Sequence, residues 1–336
     1  MSRDTFTGNR SKSYKMTLTL NFKAIKWTCL ILTILSTAVV QAQQDPQYTQ
    51  YMYNTQVVNP AYAGSREVLS FGVLGRTQWV GLDGSPQTGT FTVNFPTGIY
   101  RNMGLGLSIV HDQIGPAVES NAVVDYSYSI NMAPYTISKL SFGLKAGVDM
   151  LDVDYTRLNP EDETDALLQN NVDQRINLQV GAGIYYRTEK FYAGVSVPNF
   201  LNSKHFDESS LENENIEGIA VERLHYFYIM GYVFDLSPNL KFKPATLAKF
   251  VSGAPLQWDA SANFLIYQKL ALGASYRWNA SISALAGFQV SRSFFIGVAY
   301  DYQSTAIEDY SNGSYEVFIR FDVFNRLDRV LTPRFF

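Results

Sequence analysis

Hydrophobic and polar residues alternate strictly along residues 269–302, in three consecutive segments joined by short turns. In the first segment, Leu270, Leu272 and Tyr276 share one face, while Ser275 and Arg277 share the other. A repeat of two residues is the side-chain period of a β-strand. Because the connections are too short for a crossover, the segments are predicted to be antiparallel neighbours in one sheet.

The length and the faces of these strands distinguish two kinds of β protein. Each segment has about ten residues, whereas strands in soluble domains mostly have five or six. About ten residues is the length of a tilted strand that crosses a bilayer. One face is apolar and ends in aromatic residues, and the other is small or polar, as in a barrel with a lipid-facing exterior and a polar lumen. On this segment alone, a large soluble all-β domain is an equal alternative.

The same alternation extends along the chain and predicts an all-β fold, a transmembrane antiparallel β-barrel of about fourteen strands. An even strand number is the rule for bacterial single-chain barrels. The barrel is predicted to occupy residues 67–324, followed by a C-terminal tail at residues 325–336. The predicted strands are Val68–Val80, Gln87–Phe95, Met103–Gln113, Ser120–Met132, Lys139–Tyr155, Arg175–Thr188, Phe191–Val197, Arg223–Leu236, Leu240–Val251, Leu256–Tyr267, Lys269–Trp278, Ser281–Val290, Phe294–Tyr302 and Ser314–Phe324.

The lengths of the connections favour the membrane barrel over the soluble domain. Outer-membrane barrels have long loops on the outer side and short turns on the inner side. If the first strand starts on the inner side, the odd-numbered connections are the outer ones. The long connections, Thr156–Gln174, Asn199–Glu222 and Gln303–Gly313, are all odd, and tight turns such as Glu189-Lys190 and Ser237–Asn239 are all even.

Residues 1–42 are predicted to be a leader with a secretory signal peptide. Lysines precede an apolar run, Trp27–Val40, and the small residue Ala42 suits a cleavage site. The only cysteine, Cys29, lies in this segment, so neither disulfides nor thiol catalysis is expected in the mature chain. The leader holds six of the 27 basic and one of the 30 acidic residues, so the mature net charge is −8. That charge argues against a nucleic-acid partner.

Residues 43–66, named here the lead-in, precede the first strand and do not alternate. Pro46, Pro60 and several side-chain amides predict an irregular or partly helical segment. Wall side chains alone cannot fill the lumen of a wide barrel. The lead-in could therefore fold inward as a plug, or it could lie under the barrel as a periplasmic tail.

No catalytic or metal-binding constellation stands out in the sequence. His111, His205 and His225 are far apart, so a zinc site is not expected. The mid-strand pairs in Gly104-Leu105-Gly106 and Gly181-Ala182-Gly183 are not nucleotide fingerprints and suit tight strand packing or the close approach of a plug. No phosphate loop or Gly-x-Ser-x-Gly elbow is found. The chain is therefore expected not to be an enzyme, with no cofactor, no metal and no small-molecule substrate.

Charged residues on the predicted lumen face are expected to pair across strands, with a substrate path as the less favoured alternative. They are Arg76, Asp125, Lys145, Asp149, Arg175, Arg187, Arg277, Asp301, Glu316, Arg320 and Asp322.

Several stretches resemble the PorP/SprF family. The most specific is the opening block at residues 45–88, DPQYTQYMYNTQVVNPAYAGSREVLSFGVLGRTQWVGLDGSPQT. Weaker matches follow in the family's order, namely NMGLGLSIVHDQIGP, FGLKAGV, KFYAGVSVPNFL, ALAGFQ and IGVAYDY. The family's signature positions are matched by Asp45, Pro46, Tyr48, Asn59, Pro60, Gly64, Arg76, Trp79 and Gly81.

The resemblance implies a FadL-like barrel in contact with outer-membrane lipid, in the outer membrane of a Gram-negative, Bacteroidota-like cell. It also implies a role in the type IX secretion and gliding motility apparatus. Some members support secretion or surface attachment of a large adhesin, and others contact periplasmic lipoproteins. The signature residues are accordingly predicted to belong to a plug or a partner surface. The alternative function is an outer-membrane porin or transporter for small or hydrophobic solutes.

Overall fold

The computed structural model describes residues 46–98, 101–134, 136–157, 171–201, 224–252 and 254–324. The predicted leader, Asp45 and the predicted C-terminal tail lie outside the described residues. Within the described ranges, no helix is long and apolar enough to cross a bilayer.

The described strand segments form one continuous antiparallel sheet, in which the first strand, β1, pairs with the last, β15. The segments are β1 (Leu69–Thr77), β2 (Gln87–Thr97), β3 (Met103–Ile114), β4 (Ala117–Asn131), β5 (Ser138–Val153), β6 (Val172–Thr188), β7 (Phe191–Val197), β8 (His225–Tyr232), β9 (Phe234–Ser237), β10 (Leu240–Val251), β11 (Gln257–Ile266), β12 (Leu270–Arg277), β13 (Ser281–Gln289), β14 (Phe294–Gln303) and β15 (Ser314–Val323). Because β10 also pairs with β11, the sheet closes on itself.

Two of these segments, β8 and β9, form a single strand of the barrel, because both pair with β10. They are separated at Val233, whose backbone N–H donates to Lys190 O at 2.8 Å. Counting them together gives fourteen strands, so the predicted fourteen-stranded antiparallel β-barrel is confirmed.

The two faces of the wall follow the predicted alternation. On β12, Leu272 is 42% exposed and faces outward, whereas Ser275 is 7% exposed and faces the lumen. Aromatic side chains form a belt near each end of the outer face. Trp258 and Trp278 lie 6.0 Å apart at one end, and Phe242 and Phe264 lie 5.0 Å apart at the other. An apolar band between aromatic belts is the exterior of a membrane barrel.

The two ends of the barrel carry different connections. The end where β1 begins and β15 ends is named here the inner mouth, and the opposite end the outer mouth. Tight turns such as Glu189-Lys190 lie at the inner mouth. At the outer mouth β4 and β6 start three residues earlier than predicted, at Ala117 and Val172, because both pack against a small apolar cluster that contains Leu151 and Val153.

The lead-in lies inside the wall and shares its main hydrophobic core. It contains one helical turn, α1 (Thr55–Val58), and a short 3-10 turn, Pro60–Tyr62. Tyr51, Met52 and Tyr62 of the lead-in pack with inward-facing wall residues such as Tyr185 and Phe318. The core of the protein is therefore the contact between the lead-in and the barrel.

Candidate functional site

The lead-in runs the whole length of the lumen, from the outer mouth to the inner mouth. At the outer mouth, Gln47 Nε2 donates to Gln257 Oε1 at 3.2 Å. Half way down, Gln56 Nε2 donates to Val93 O and Leu107 O, each at 3.0 Å. At the inner mouth, the lead-in ends at Arg66, whose Nη2 lies 2.9 Å from Asp322.

A buried charge cluster, named here the outer clamp, fixes the first part of the lead-in. The Arg76 guanidinium lies 2.7 Å from the Asp301 carboxylate and 3.2 Å from the Glu316 carboxylate. Successive backbone N–H groups of Thr49 and Gln50 donate to the two oxygens of Glu316 at 2.9 and 2.8 Å. The Thr49 hydroxyl accepts from Arg76 and donates to Asp301. The clamp therefore joins the lead-in to β1, β14 and β15 through charge-assisted hydrogen bonds.

Wall side chains also satisfy backbone carbonyls of the lead-in that regular secondary structure would otherwise pair. Lys145 Nζ donates to Val57 O at 2.7 Å, and Ser196 Oγ donates to Val58 O at 2.7 Å. Because a buried carbonyl without a partner is costly, these bonds make an irregular segment stable inside the barrel.

Glycines in the wall allow the backbone of the lead-in to touch the backbone of the strands. A Cβ at Gly143 would lie 2.1 Å from Ala61 N, and a Cβ at Gly104 would lie 2.1 Å from Ala63 O. Any larger residue at either position would collide with backbone that has no room to move. Mid-strand glycines were expected either to allow tight strand packing or to allow the close approach of a plug. Gly104 has the second role, because it lies against the lead-in.

Replacing Gly143 with alanine is expected to destabilise the protein by about 1–3 kcal/mol, because the added Cβ overpacks the contact with Ala61. The midpoint of urea unfolding in detergent micelles measures this loss. Gly75→Ala is the matched control, since nothing lies within 4 Å of a Cβ at Gly75. Equal midpoints for the two variants would contradict the contact.

A second group of charges, named here the inner latch, fixes the end of the lead-in at Arg66 and the residue that follows it, Glu67. Glu67 Oε1 lies 2.6 Å from Arg187 Nη2 and 3.2 Å from Lys139 Nζ, and Arg66 Nη2 lies 2.9 Å from Asp322. Burial by itself would raise the pKa of Glu67, but Arg187 and Lys139 together lower that pKa to about 2. A carboxylate with a lowered pKa contributes stability above its ordinary value of 4.5, and that stability is lost only as the pH falls towards 2. Glu67 is therefore ionised at neutral pH.

Most of the predicted signature residues meet in the lumen. Tyr48 O accepts from Arg277 Nη2 at 3.3 Å, next to the outer clamp that contains Arg76. Asn59 caps the 3-10 turn by accepting from Ala61 N at 3.0 Å, and Pro60 begins that turn. Pro46 is half-buried, and Asp45 lies outside the described residues.

Three signature glycine and tryptophan positions have left-handed backbone. Gly64 has φ +72°, and a Cβ there would lie 2.6 Å from Gly104 Cα. Trp79 and Gly81 lie apart from the other signature residues, at the outer mouth, with φ of 48° and 105°. The Trp79 backbone N–H donates to Ser314 Oγ at 3.2 Å.

Several residues that hold the lead-in were not predicted from the sequence. Asp259, which bonds Arg277 at 2.7 Å, could have been found because alternation with outward-facing Trp258 places it in the lumen. Gly143 could have been found in the same way. Thr49 and Gln50 carry no such signal, because the lead-in has no period and their partner Glu316 is more than 260 residues away.

The described residues offer little for metal chemistry. Among them, no group of three or more His, Cys, Asp or Glu side chains is placed to hold a metal ion. His225 is buried on β8, His111 is exposed on β3, and His205 lies outside the described residues.

A closed antiparallel barrel with an apolar exterior, aromatic belts and its own amino-terminal segment in the lumen defines an integral membrane protein of the outer-membrane β-barrel class. The family model described as Type IX secretion system membrane protein PorP/SprF matches residues 40–321. The chain belongs to this family, and the resemblance seen in the sequence is confirmed.

Solved structures with a similar chain path are other membrane barrels. The CymD monoaromatic hydrocarbon channel is 11% identical, with a TM-score of 0.45 over 84% of this chain and 94% of that chain. CdiB from Acinetobacter baumannii is 9% identical, with a TM-score of 0.38 over 76% of this chain and 60% of that chain. The NanC porin is 8% identical, with a TM-score of 0.37 over 76% of this chain and 100% of that chain. No curated protein matches the sequence.

Proposed function

We propose that this protein is a non-enzymatic outer-membrane component of the type IX secretion and gliding apparatus that supports secretion or surface attachment of a partner adhesin. The observation that carries the proposal is the lead-in, which runs through the lumen and is fixed to the wall at both mouths. A lumen occupied in this way favours a barrel that holds a partner over one that conducts solutes.

The contacts of the buried charges support a structural role rather than a catalytic one. Arg76, Asp301 and Glu316 are engaged with one another and with the backbone of the lead-in. Lys145 is engaged with Val57 O. These charges therefore serve to hold the lead-in against the wall. Family membership adds that the barrel works within a secretion system.

Deletion of Gln43–Tyr53 tests the proposal in the living cell. The deletion removes the lead-in side of the outer clamp but no strand, so the barrel is expected to insert in normal amounts. Export or surface display of the partner adhesin is expected to be lost, as measured by labelling of surface proteins on intact cells. The protein whose display is lost is the client.

The same deletion variant provides an internal control. In a planar bilayer it is expected to conduct ions, whereas the full mature chain stays closed, because the deletion empties the outer half of the lumen. Normal display of every surface protein, combined with raised conductance, would show that the lead-in is only a plug and would refute the secretion role assigned to it.

A further inference from the structure

The outer mouth contains a cavity of about 640 Å³ between the rim of the wall and the first residue of the lead-in that bonds to the wall. It lies among the connections that follow β1, β12 and β14. Its lining includes Gln47, Gln78, Trp79, Leu256, Gln303 and Thr305. A cavity of this size holds a ligand of several hundred Å³, which corresponds to a few amino-acid residues.

Side-chain amides in this cavity have hydrogen-bonding capacity that the protein does not use. Gln78 Oε1 accepts from Arg76 Nη2 at 3.3 Å, and Gln303 Nε2 donates to Ser314 Oγ at 3.3 Å. Gln78 Nε2 and Gln303 Oε1 have no further partner in the described ranges of the chain, although each side chain belongs to a residue that is only 8% exposed. The cavity therefore offers one unused donor and one unused acceptor.

Both amides are held in place by groups that are themselves fixed. Arg76 belongs to the outer clamp, and Ser314 Oγ accepts from the Trp79 backbone N–H as well as from Gln303. Trp79 is a bulky residue with a left-handed φ of 48°, a conformation that is rare for its type and is often retained at binding sites. Preorganised groups of this kind cost little ordering free energy on binding.

The chemistry of the lining indicates what fits. A peptide group presents one C=O and one N–H, which match the unused donor of Gln78 and the unused acceptor of Gln303. Val251, Pro255 and Leu256 add aliphatic surface, which suits amino-acid side chains better than the hydroxyl groups of a sugar.

We propose that the outer-mouth cavity is the docking site for an extended polypeptide segment of the client, which reaches it from the outer side of the membrane. This inference rests on the proposed function and assigns its partner contact to the outer mouth rather than the inner mouth. The first residues of the lead-in form part of the site, since Gln47 lines the cavity.

Cysteine accessibility on intact cells tests the site. The only native cysteine, Cys29, lies in the predicted leader, so Thr305→Cys, Asp309→Cys and Asn239→Cys give single-cysteine mature chains. A membrane-impermeant maleimide is applied to cells with and without the client gene. Thr305→Cys is expected to react about tenfold more slowly when the client is present, because a docked segment excludes solvent. Asp309→Cys, outside the cavity, is expected to react equally in both strains.

A second pair of variants tests the role of the amides. Gln78→Leu and Gln303→Leu are expected to release the client from the surface into the medium. Gln289→Leu, near the inner mouth, is the matched control and is expected to retain the client.

The third cysteine variant of the accessibility test, Asn239→Cys, lies in the turn between β9 and β10 at the inner mouth. It is expected to react with the maleimide only after the cells are permeabilised.

Three results would overturn the site. If Thr305→Cys reacted equally in both strains while display of the client still required this protein, the outer-mouth site would be wrong but the proposed function would stand. If Thr305→Cys reacted slowly with the maleimide even in the strain without the client, the cavity would be occupied by something other than the client, such as a surface glycan. Reaction of Asn239→Cys but not Thr305→Cys in intact cells would mean that the outer mouth faces the cell interior.

Discussion

Arg76→Met is expected to destabilise the protein by about 3–5 kcal/mol, because removing one partner of a buried ion pair leaves the other charge uncompensated. Asp301 and Glu316 are both buried and would then face each other across β14 and β15 with no guanidinium between them. The loss is measured as a shift in the urea midpoint of the detergent-solubilised protein. The first part of the lead-in is also expected to become sensitive to protease, since its anchor is the same cluster.

A second variant distinguishes the effect of the lost charge from the effect of the lost Arg76 side chain. The triple variant Arg76→Met, Asp301→Asn, Glu316→Gln removes every charge of the outer clamp and keeps its approximate volume. It is expected to be more stable than Arg76→Met because no buried charge is left without a partner, although the Glu316→Gln amide can accept from only one of the N–H groups of Thr49 and Gln50. If the triple variant were as unstable as Arg76→Met, packing rather than charge would hold the clamp together.

Leu272→Arg is expected to cost about 1–2 kcal/mol, because the penalty for a cation on the lipid face of a barrel falls from about 2–4 kcal/mol at the bilayer midplane to about 0–1 kcal/mol near the interfaces. Leu272 is the third residue of β12, where it pairs with Phe264 of the aromatic belt, and it is 42% exposed on the outer face. The penalty is measured by reversible unfolding in lipid vesicles. Leu272→Thr is the control, because it removes the apolar side chain without adding charge. Equal costs for both variants would mean that position 272 does not face lipid.

The lumen side of the same strand is more crowded than alternation alone predicts. Ser275 faces inward, so the sequence predicts that an arginine there is tolerated. In the structure Ser275 pairs with Ser261, whose Oγ lies 3.5 Å from the hydroxyl of Tyr51 in the lead-in. An arginine at this position would meet a filled lumen, so Ser275→Arg does not serve as a benign comparison.

The wall of the barrel could be predicted from the sequence because the alternation within each strand shows which side chains face lipid and which face the lumen. A period of two, imposed by one lipid-facing side and one lumen-facing side, fixes both the strand and the direction of each side chain. Leu272 and Ser275 show how far this goes. The exact ends of the strands could not be predicted as well. Ala117 and Val172 extend the sheet because they pack near Leu151, and the alternation of residues along the chain does not show that contact.

The site could not be predicted in the same way because its contacts are distant in sequence and aperiodic. Thr49 and Arg76 are brought to Glu316 only by closure of the barrel at β1 and β15. Alternation does place Arg76 and Glu316 in the lumen, but it does not say which charges meet. The mid-strand glycine Gly104 was a signal for close approach, and the identity of the approaching backbone came from the structure alone.

The position of the lead-in relative to the β1–β15 pairing has a consequence for biogenesis. Arg66 and Asp322 lie beside that seam, and the chain that precedes Arg66 passes inside the wall to the far mouth. A folded domain is wider than the space between these strands and could not follow that path once the cylinder is sealed. If the seam closes around a lead-in already in place, a bulky folded fusion ahead of Gln43 is expected to stall the nascent barrel in its open state.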